Sequence, residues 1–107
     1  MGLTKTEEFT KNQNELANLA KAIGHPARIA ILQFLASKPS CVCGDIVDEL
    51  PLSQSTVSQH LKELRKVGLV KGNIDGPSVC YCIDLAAWKS AKTKLSGFFE
   101  EYKDPCY

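Results

Sequence analysis

Hydrophobic residues recur at helical spacing through the first third of the chain. The apolar positions between Leu16 and Ile23 follow a polar lead-in and predict an amphipathic helix over residues 7–23. Gly24 is a typical helix stop, and Pro26 suits the first position of a second helix. The residues after Pro26 are apolar on nearly all sides for about three turns, which is typical of a central buried helix.

The middle of the chain predicts two helices joined by a tight turn. A short helix is expected from about residue 44 to residue 50, closed by Pro51 because proline disfavours helical geometry in the residue before it. Ser53 can cap the next helix, which ends at Gly68. Three apolar residues of this helix form one inward stripe: Val57, Leu61 and Leu64.

A β-hairpin and a final helix complete the pattern. Residues 69–74 and 79–83 predict two strands around the turn cluster of residues 75–78, Asp-Gly-Pro-Ser. Apolar and aromatic residues then recur at helical spacing from Trp88 to Tyr102. The predicted order is helix, helix, short helix, turn, helix, hairpin, helix.

This order predicts a winged helix-turn-helix, a mostly helical fold with a small β-hairpin wing. A chain of 107 residues fits a single domain, residues 1–107, with the helix-turn-helix at about 44–67 and the wing at about 69–84. No apolar run approaches the roughly 18 residues of a membrane span, and the N-terminus lacks an apolar secretory stretch. We therefore expect a cytoplasmic protein with no membrane partner.

The distribution of charge is more informative than its sum. Thirteen basic and 12 acidic residues leave a net charge of +1, which gives no nucleic-acid signal. The second helix of the helix-turn-helix and the strand after it nevertheless carry Lys62, Arg65, Lys66 and Lys71 against Glu63 alone. A local positive surface is expected there, although a solvated helix face would have a similar composition.

The helix after Ser53 carries residue types that commonly contact DNA bases. Short polar side chains in its first turns can enter the major groove, where Gln pairs with adenine and hydroxyls bond bases or phosphates. Six residues are candidates for base and backbone contact: Gln54, Ser55, Thr56, Ser58, Gln59 and His60. A polar helix face is also common as plain solvent surface, and His60 could equally be a capping or half-buried core histidine.

Two segments resemble the ArsR/SmtB family of repressors. Residues 19–32, LAKAIGHPARIAIL, are similar to the family's entry segment, and residues 53–70, SQSTVSQHLKELRKVGLV, to its recognition helix. The resemblance implies a homodimer that binds double-stranded operator DNA and releases it when an inducer, often a metal or metalloid, binds. It also implies that the first and last helices, residues 7–23 and about 86–102, form the dimer.

The aromatic stripe of the last helix supports the dimer independently, because a terminal helix with such apolar bulk needs a partner surface. Packing against the same subunit is the alternative. The wing departs from the family pattern: residues 72–78 lack the arginines that are common at the tip. Phosphate contacts are therefore expected from the basic residues Lys62, Arg65, Lys66 and Lys71.

Five cysteines raise the question of an inducer. A cytoplasmic chain keeps its thiols reduced, so structural disulfides are not expected, and metal or redox chemistry gains weight. Cys41-Val42-Cys43 resembles the family's Cys-Val-Cys sensor for soft ions. Both sulfurs can hold one ion only if this segment is extended or distorted, because residues two apart on a helix point in nearly opposite directions.

Further ligands must come from Cys80, Cys82 or Cys106. In winged-helix sheets the segment before the third helix generally pairs with the second wing strand, which could bring two Cys-x-Cys pairs together; Cys106 could instead close over the site. Alternatively, Cys80 and Cys82 are small hydrophobic residues within a sheet. The motif also departs from the family's arsenic sensor, because Gly44 precedes the acidic residue and a third nearby cysteine is missing.

The sequence predicts a repressor released by a soft ion bound to cysteine thiolates. Arsenic or antimony is the first expectation, followed by cadmium, lead or zinc. Oxidation or reactive sulfur acting on the same thiols is the alternative inducer class. A winged helix used only for protein contact, with no small inducer, is a further alternative. An enzyme is not expected, because the chain has no Cys-x-x-Cys and no βαβ pattern.

Overall fold

The computed structural model describes residues 6–43, 50–73 and 80–105 of the chain. A 3₁₀ turn at Thr6–Glu8 precedes the first helix. The helices and strands of these ranges are α1 (Lys11–Ile23), α2 (Pro26–Ala36), β1 (Val42–Cys43), α3 (Gln54–Lys66), β2 (Val70–Asn73), β3 (Cys80–Ile83) and α4 (Leu85–Glu100). The expected short helix at 44–50 and the expected turn at 75–78 lie outside the described ranges, apart from residue 50.

Capping side chains set where the first two helices begin. Thr10 adopts an extended conformation and accepts a hydrogen bond from the Gln13 backbone, while the Gln13 side chain accepts one from the Thr10 backbone. This reciprocal cap starts α1 at Lys11, four residues later than the apolar spacing alone predicted. His25 caps α2 through its Nδ1, and Pro26 takes the first helical position as predicted.

The recognition helix α3 has the predicted limits and inward stripe. The Ser53 hydroxyl caps it by accepting a hydrogen bond from the Thr56 backbone. Val57, Leu61 and Leu64 are fully buried. Gly68 follows the helix with a φ of +83°, a left-handed conformation that favours glycine and turns the chain into β2.

A three-stranded antiparallel sheet packs against these helices, with strand order β1-β3-β2. Tyr81 at its centre lies opposite both Val42 on β1 and Gly72 on β2, and its side chain is only 1% exposed. Val70 is equally buried. Because side chains alternate between the two faces of a strand, the neighbours of Tyr81 on β3 lie on the opposite face.

The core joins one stripe of each element into a single cluster. Leu19 from α1, the inner side of α2 around Ile31, the α3 stripe and the inner sheet face meet in it. Helix α4 covers this core with half-buried residues such as Trp88 and contributes no fully buried one. The result confirms the predicted winged helix-turn-helix with a small antiparallel sheet. Within the described ranges, no helix has the length and apolar character that crossing a membrane requires.

Candidate DNA-binding surface and thiol cluster

The N-terminal turns of α3 present the predicted polar side chains at the surface. Gln54, Ser55 and Gln59 are exposed, and Thr56 and Ser58 are half-buried. Gln54 Nε2 lies 3.4 Å from the Ser58 hydroxyl, and Gln59 makes an equally long contact to Glu63. Long surface hydrogen bonds of this kind exchange readily for contacts to another polar surface. Base contact by these residues stays a prediction.

His60, on the same helix, has a partner inside the protein. Its Nδ1 accepts a hydrogen bond from Arg28 Nε over 3.0 Å, and its ring centroid lies 4.7 Å from that of His25. Arg28 also donates to the Ala22 carbonyl oxygen at 3.0 Å, so its guanidinium connects α1, α2 and α3. Partial burial, with smaller effects from the charges of Arg28 and His25, holds the pKa of His60 below its ordinary value of 6.5.

The predicted basic residues follow one another from the end of α3 into β2. Arg65 donates to the Gly72 carbonyl oxygen at 3.5 Å, which links the recognition helix to the wing strand. Lys66 forms an ion pair with Glu63 at 3.0 Å, and the hydrogen bond from Lys66 is the main reason that the Glu63 pKa is lowered. Lys71 is exposed on β2. A short basic path therefore leads from helix to strand, and its contact with phosphate stays a prediction.

Four cysteines lie together on the outer face of the sheet. The register places Cys43 opposite Cys80 and Val42 opposite Tyr81, so Cys41 comes opposite Cys82. With Tyr81 facing the core, the alternation of the strands puts these four residues on the other face. Cys41 and Cys82 are hereafter the first cysteine pair, Cys43 and Cys80 the second, and all four the thiol cluster.

Both pairs are joined by disulfide bonds, with Cα–Cα distances of 4.4 Å in the first pair and 4.0 Å in the second. The expectation that disulfides are absent is therefore wrong for this form of the protein. Directly opposite residues of antiparallel strands bring their Cβ atoms within about 5 Å, which places the two sulfurs side by side. The extended Cys-Val-Cys segment and its pairing with the second wing strand are as predicted, and Cys106 lies outside the described ranges.

The first cysteine pair borders an open cavity of about 410 Å³. Lys38, Lys71 and Trp88 also line this cavity. In the described part of the chain, no group of three or more His, Cys, Asp or Glu side chains is arranged to hold a metal ion. This is consistent with the disulfides, because a sulfur in a disulfide is not the thiolate that a metal binds.

Helix α4 and the residues that follow it leave large aromatic side chains exposed. Phe98, Phe99 and Tyr102 are 48%, 70% and 76% exposed. A separate cavity of about 400 Å³ between α1, α2 and α4 is lined mostly by apolar side chains, among them Ile23 and Leu95. Isolated exposed apolar residues are ordinary, whereas a cluster of exposed aromatic residues is typical of an interaction surface.

Two residues contribute to these sites although no pattern in the sequence predicts their role. Arg28 belongs to the His-Pro-Ala-Arg segment at the start of α2, and its contact with His60 joins residues that are 32 positions apart in the sequence. Lys38 follows α2 and is brought to the first cysteine pair by the turn into β1. Neither residue has a local signal for its neighbours, because both contacts depend on how separate elements pack.

Comparison with known proteins places this architecture among bacterial regulators. Residues 25–71 match the family described as "Bacterial regulatory protein, arsR family". The HTH-type transcriptional regulator YgaV of Escherichia coli is 32% identical over 81 residues, which cover 76% of this chain and 82% of YgaV.

Solved structures of similar proteins have the same fold. An ArsR-like transcriptional regulator from Rhodococcus sp. RHA1 superposes with a TM-score of 0.69 at 24% identity, over 86% of each chain. Reduced HlyU from Vibrio cholerae superposes with a TM-score of 0.60 at 29% identity, over 84% of this chain and 92% of HlyU.

Proposed function

The chain belongs to the ArsR family of helix-turn-helix transcriptional regulators, which are not enzymes, and on that basis we propose that it is a cytoplasmic repressor switched by its thiol cluster. In this proposal the reduced homodimer binds operator DNA, and oxidation of the thiol cluster releases it. The observation that carries the proposal is the placement of four cysteines, in two directly opposite pairs, on the face of the sheet turned away from the core.

The DNA-binding half of the proposal depends on α3. The exposed N-terminal residues Gln54, Ser55 and Gln59 enter the major groove, and Arg65 and Lys71 approach the phosphates. Ser58 and Thr56 add hydroxyl donors, and Lys62 adds a charge on the same helix. We assign His60 mainly to positioning, because its Nδ1 is already engaged by Arg28.

The switch is a thiol–disulfide conversion. In the reduced protein each pair holds two thiols; on oxidation each pair loses two electrons and two protons to a thiol-reactive oxidant and forms one S–S bond. The disulfide-bonded form described above corresponds to the oxidised state. Crosslinking joins residues 41–43 covalently to β3 on both sides of the Val42–Tyr81 pair, whereas in the reduced protein no covalent bond joins them.

A short path connects the thiol cluster to the recognition helix. Gly72 packs closely against the backbone of Cys80 and Tyr81 on β3, and its carbonyl oxygen accepts the hydrogen bond from Arg65 at the end of α3. A shift of β3 on crosslinking therefore moves the wing strand against the helix that reads DNA. A coupling free energy of about 1–3 kcal/mol would weaken operator binding by roughly 5–150-fold.

Operator binding in the two redox states tests this proposal. Protein reduced with a phosphine should bind DNA from its own promoter, and protein oxidised with diamide should bind roughly 5–150-fold more weakly until reductant is added back. Replacing all four cysteines of the thiol cluster by serine should abolish the response while binding remains. Cys106→Ser serves as the matched control and should respond as the wild type does. Equal affinity of the reduced and oxidised forms would contradict the proposal.

Capture of a soft ion by the reduced thiol cluster is a second candidate, favoured by the gathering of four potential thiolate donors on one sheet face. Thiolates suit thiophilic centres, with arsenic or antimony expected first and cadmium, lead or zinc next. Cys41 and Cys43 would hold the ion together with Cys80 and Cys82. Release by arsenite, antimonite, cadmium or zinc in the presence of reductant supports this candidate. Unchanged release after Cys41→Ser and Cys43→Ser contradicts it.

The homodimer is supported by the uncovered aromatic end of α4. Phe98 and Phe99 pack edge to face against each other, with ring centroids 5.2 Å apart, and remain exposed on one subunit. A two-fold partner that covers this cluster removes it from water and places two recognition helices for successive major grooves. Sedimentation analysis of the reduced protein measures this directly.

A further inference from the structure

The cavity beside the first cysteine pair has an unbalanced charge. Two side chains among its lining residues carry positive charge, Lys38 and Lys71, and none of its lining residues is acidic. Lys71 lies directly opposite Cys82 in the β2–β3 ladder, so both side chains lie on the outer sheet face. Lys38 also lines a smaller adjoining cavity together with Cys41. A negative group that enters here meets a lining that contains two lysines as well as both members of the first cysteine pair.

The remaining walls of this cavity are mostly apolar. Leu35, Ile83 and Trp88 are among the apolar residues that line it. Its volume of about 410 Å³ falls in the range of small-molecule sites, and Cys41 is exposed to solvent at its edge. The cavity therefore combines space, an apolar surface, two cations and a nucleophile.

We propose that this cavity is the entry site for the inducer and that it selects small anionic disulfides or polysulfides, which react with the first cysteine pair before the second. The inference rests on the proposed thiol switch, and it adds the chemical class of the inducer and the order of reaction. The two lysines attract the negatively charged groups of the inducer into the cavity. The position opposite Cys80 on β2 is held by Asn73, so the second pair has no lysine at the equivalent register position.

The reaction is two successive thiol–disulfide exchanges. The Cys41 thiolate attacks one sulfur of the inducer R–S–S–R, which forms Cys41–S–S–R and releases R–S⁻. The Cys82 thiolate then attacks Cys41 Sγ, which forms the Cys41–Cys82 disulfide and releases a second R–S⁻. Two protein thiols are oxidised, one inducer disulfide is reduced to two thiols, and the two protons lost by the cysteines end on the released thiols.

A set of disulfides of similar size and different charge tests the selectivity. The reduced protein is mixed with dithiodipropionate, which is anionic, with hydroxyethyl disulfide, which is neutral, or with cystamine, which is cationic. Thiol loss is followed by mass spectrometry, together with the emission of Trp88, the single tryptophan of the chain, which lines the same cavity. We expect the anionic compound to react about tenfold faster than the cationic one, the effect of roughly 1.4 kcal/mol of electrostatic attraction.

Variants test whether the cavity causes the faster reaction of the anionic disulfide. Lys38→Gln with Lys71→Gln should bring the rates of the anionic and cationic compounds within about twofold of each other, a difference in activation free energy smaller than the thermal energy. The preference should survive in Cys43→Ser/Cys80→Ser and be lost in Cys41→Ser/Cys82→Ser. Equal rates for all three compounds with the wild type, or an unchanged preference in the lysine double variant, would overturn the inference.

The outcome is separable from the proposed function. Diamide is uncharged and needs no cationic site, so its effect on operator binding tests the thiol switch whether or not the cavity selects anions. If diamide releases the operator while the three disulfides react at equal rates, the thiol switch is supported and the anion-selective entry site is contradicted. If diamide leaves operator binding unchanged while the charge preference is present, the cavity binds anions but does not control the repressor.

Discussion

At the scale of single residues, Gly72 has the least room for a side chain among the glycines that the structure describes. Its φ of +124° lies in a region that side-chain-bearing residues rarely adopt, and a Cβ there would press into the Cys80 carbonyl oxygen and come within 2.9 Å of Tyr81 Cα. The neighbouring atoms are backbone, so they cannot swing away. This glycine lets β2 and β3 approach closely beneath the thiol cluster.

Gly72→Ala should therefore destabilise the protein by about 1–3 kcal/mol, the usual cost of a strained backbone position. Chemical denaturation of the reduced protein measures it. Gly97→Ala is the matched control, because a Cβ at Gly97 meets nothing within 4 Å in the interior of α4. That change should stabilise the helix by about 0.5–1 kcal/mol. Equal effects of the two substitutions would contradict the assigned role of Gly72.

His60 gives the protein a pH dependence with a defined sign. Its pKa is lowered in the folded protein, so near and below pH 6.5 the unfolded chain binds more protons than the folded chain does. The free energy of unfolding should therefore be highest above pH 6.5 and should fall as the pH drops through that value towards the folded pKa. Protonation at Nδ1 also removes the acceptor of the Arg28 hydrogen bond.

His60→Asn isolates this effect, because the asparagine oxygen can accept from Arg28 but does not titrate. Urea unfolding of both proteins between about pH 5.5 and 7.5, on either side of the ordinary histidine pKa, should show a slope for the wild type and a smaller slope for the variant. The same slope in both proteins would show that other groups cause it.

At the scale of elements, local signals predicted most of the fold. Pro26, Ser53 and Gly68 mark helix limits that the structure confirms, since each acts through its own backbone geometry or cap. The inward stripe of α3 followed from spacing alone. The apolar spacing predicted the start of α1 too early, because the reciprocal cap at Thr10 sets it at Lys11.

Features that depend on strand register could not be predicted from the sequence. Spacing placed Cys80 and Cys82 on one strand face, but it left open whether they meet Cys41 and Cys43. The observed pairing follows from the burial of Tyr81, which fixes the register of β3 against both neighbours and turns its cysteines outward. Once the four sulfurs are side by side, a crosslinked state becomes available that the expected reducing environment had argued against.

Two substitutions on α3 distinguish a residue that contacts bases from a residue that contacts phosphates. Gln54 lies exposed at the first position of α3, so Gln54→Ala should relax sequence preference at one base pair by about 1–3 kcal/mol. Arg65→Ala should instead weaken binding to all sequences and lower the salt dependence by the equivalent of about one phosphate contact. Binding of the two variants to a set of operator mutants at several salt concentrations distinguishes these outcomes. Identical profiles would contradict the assignment.

At the scale of the whole molecule, the proposed function requires two separate surfaces to act together. The outer sheet face carries the thiol cluster, while the uncovered aromatics lie at the far end of α4. The ion pair between Lys94 on α4 and Glu15 on α1, at 3.2 Å, joins these two helices within one subunit. Arg28 also connects α1 to α3. In the proposed dimer, the relative position of the two α3 helices would therefore depend on how α1 and α4 pack against the same helices of the partner.

Phe99→Asp tests this dependence on the whole assembly. A charge at a side chain that is 70% exposed in one subunit costs the isolated fold little, but it costs a dimer heavily if the ring is covered there. Sedimentation should show dimer for the wild type and monomer for the variant, with unchanged helicity and with operator affinity reduced to that of a single half-site. Lys89→Glu, on the exposed polar surface of the same helix, is the control and should remain dimeric. If Phe99→Asp stays dimeric with full operator affinity, the aromatic end of α4 is not the dimer surface, and the spacing of the two recognition helices must be set by another contact.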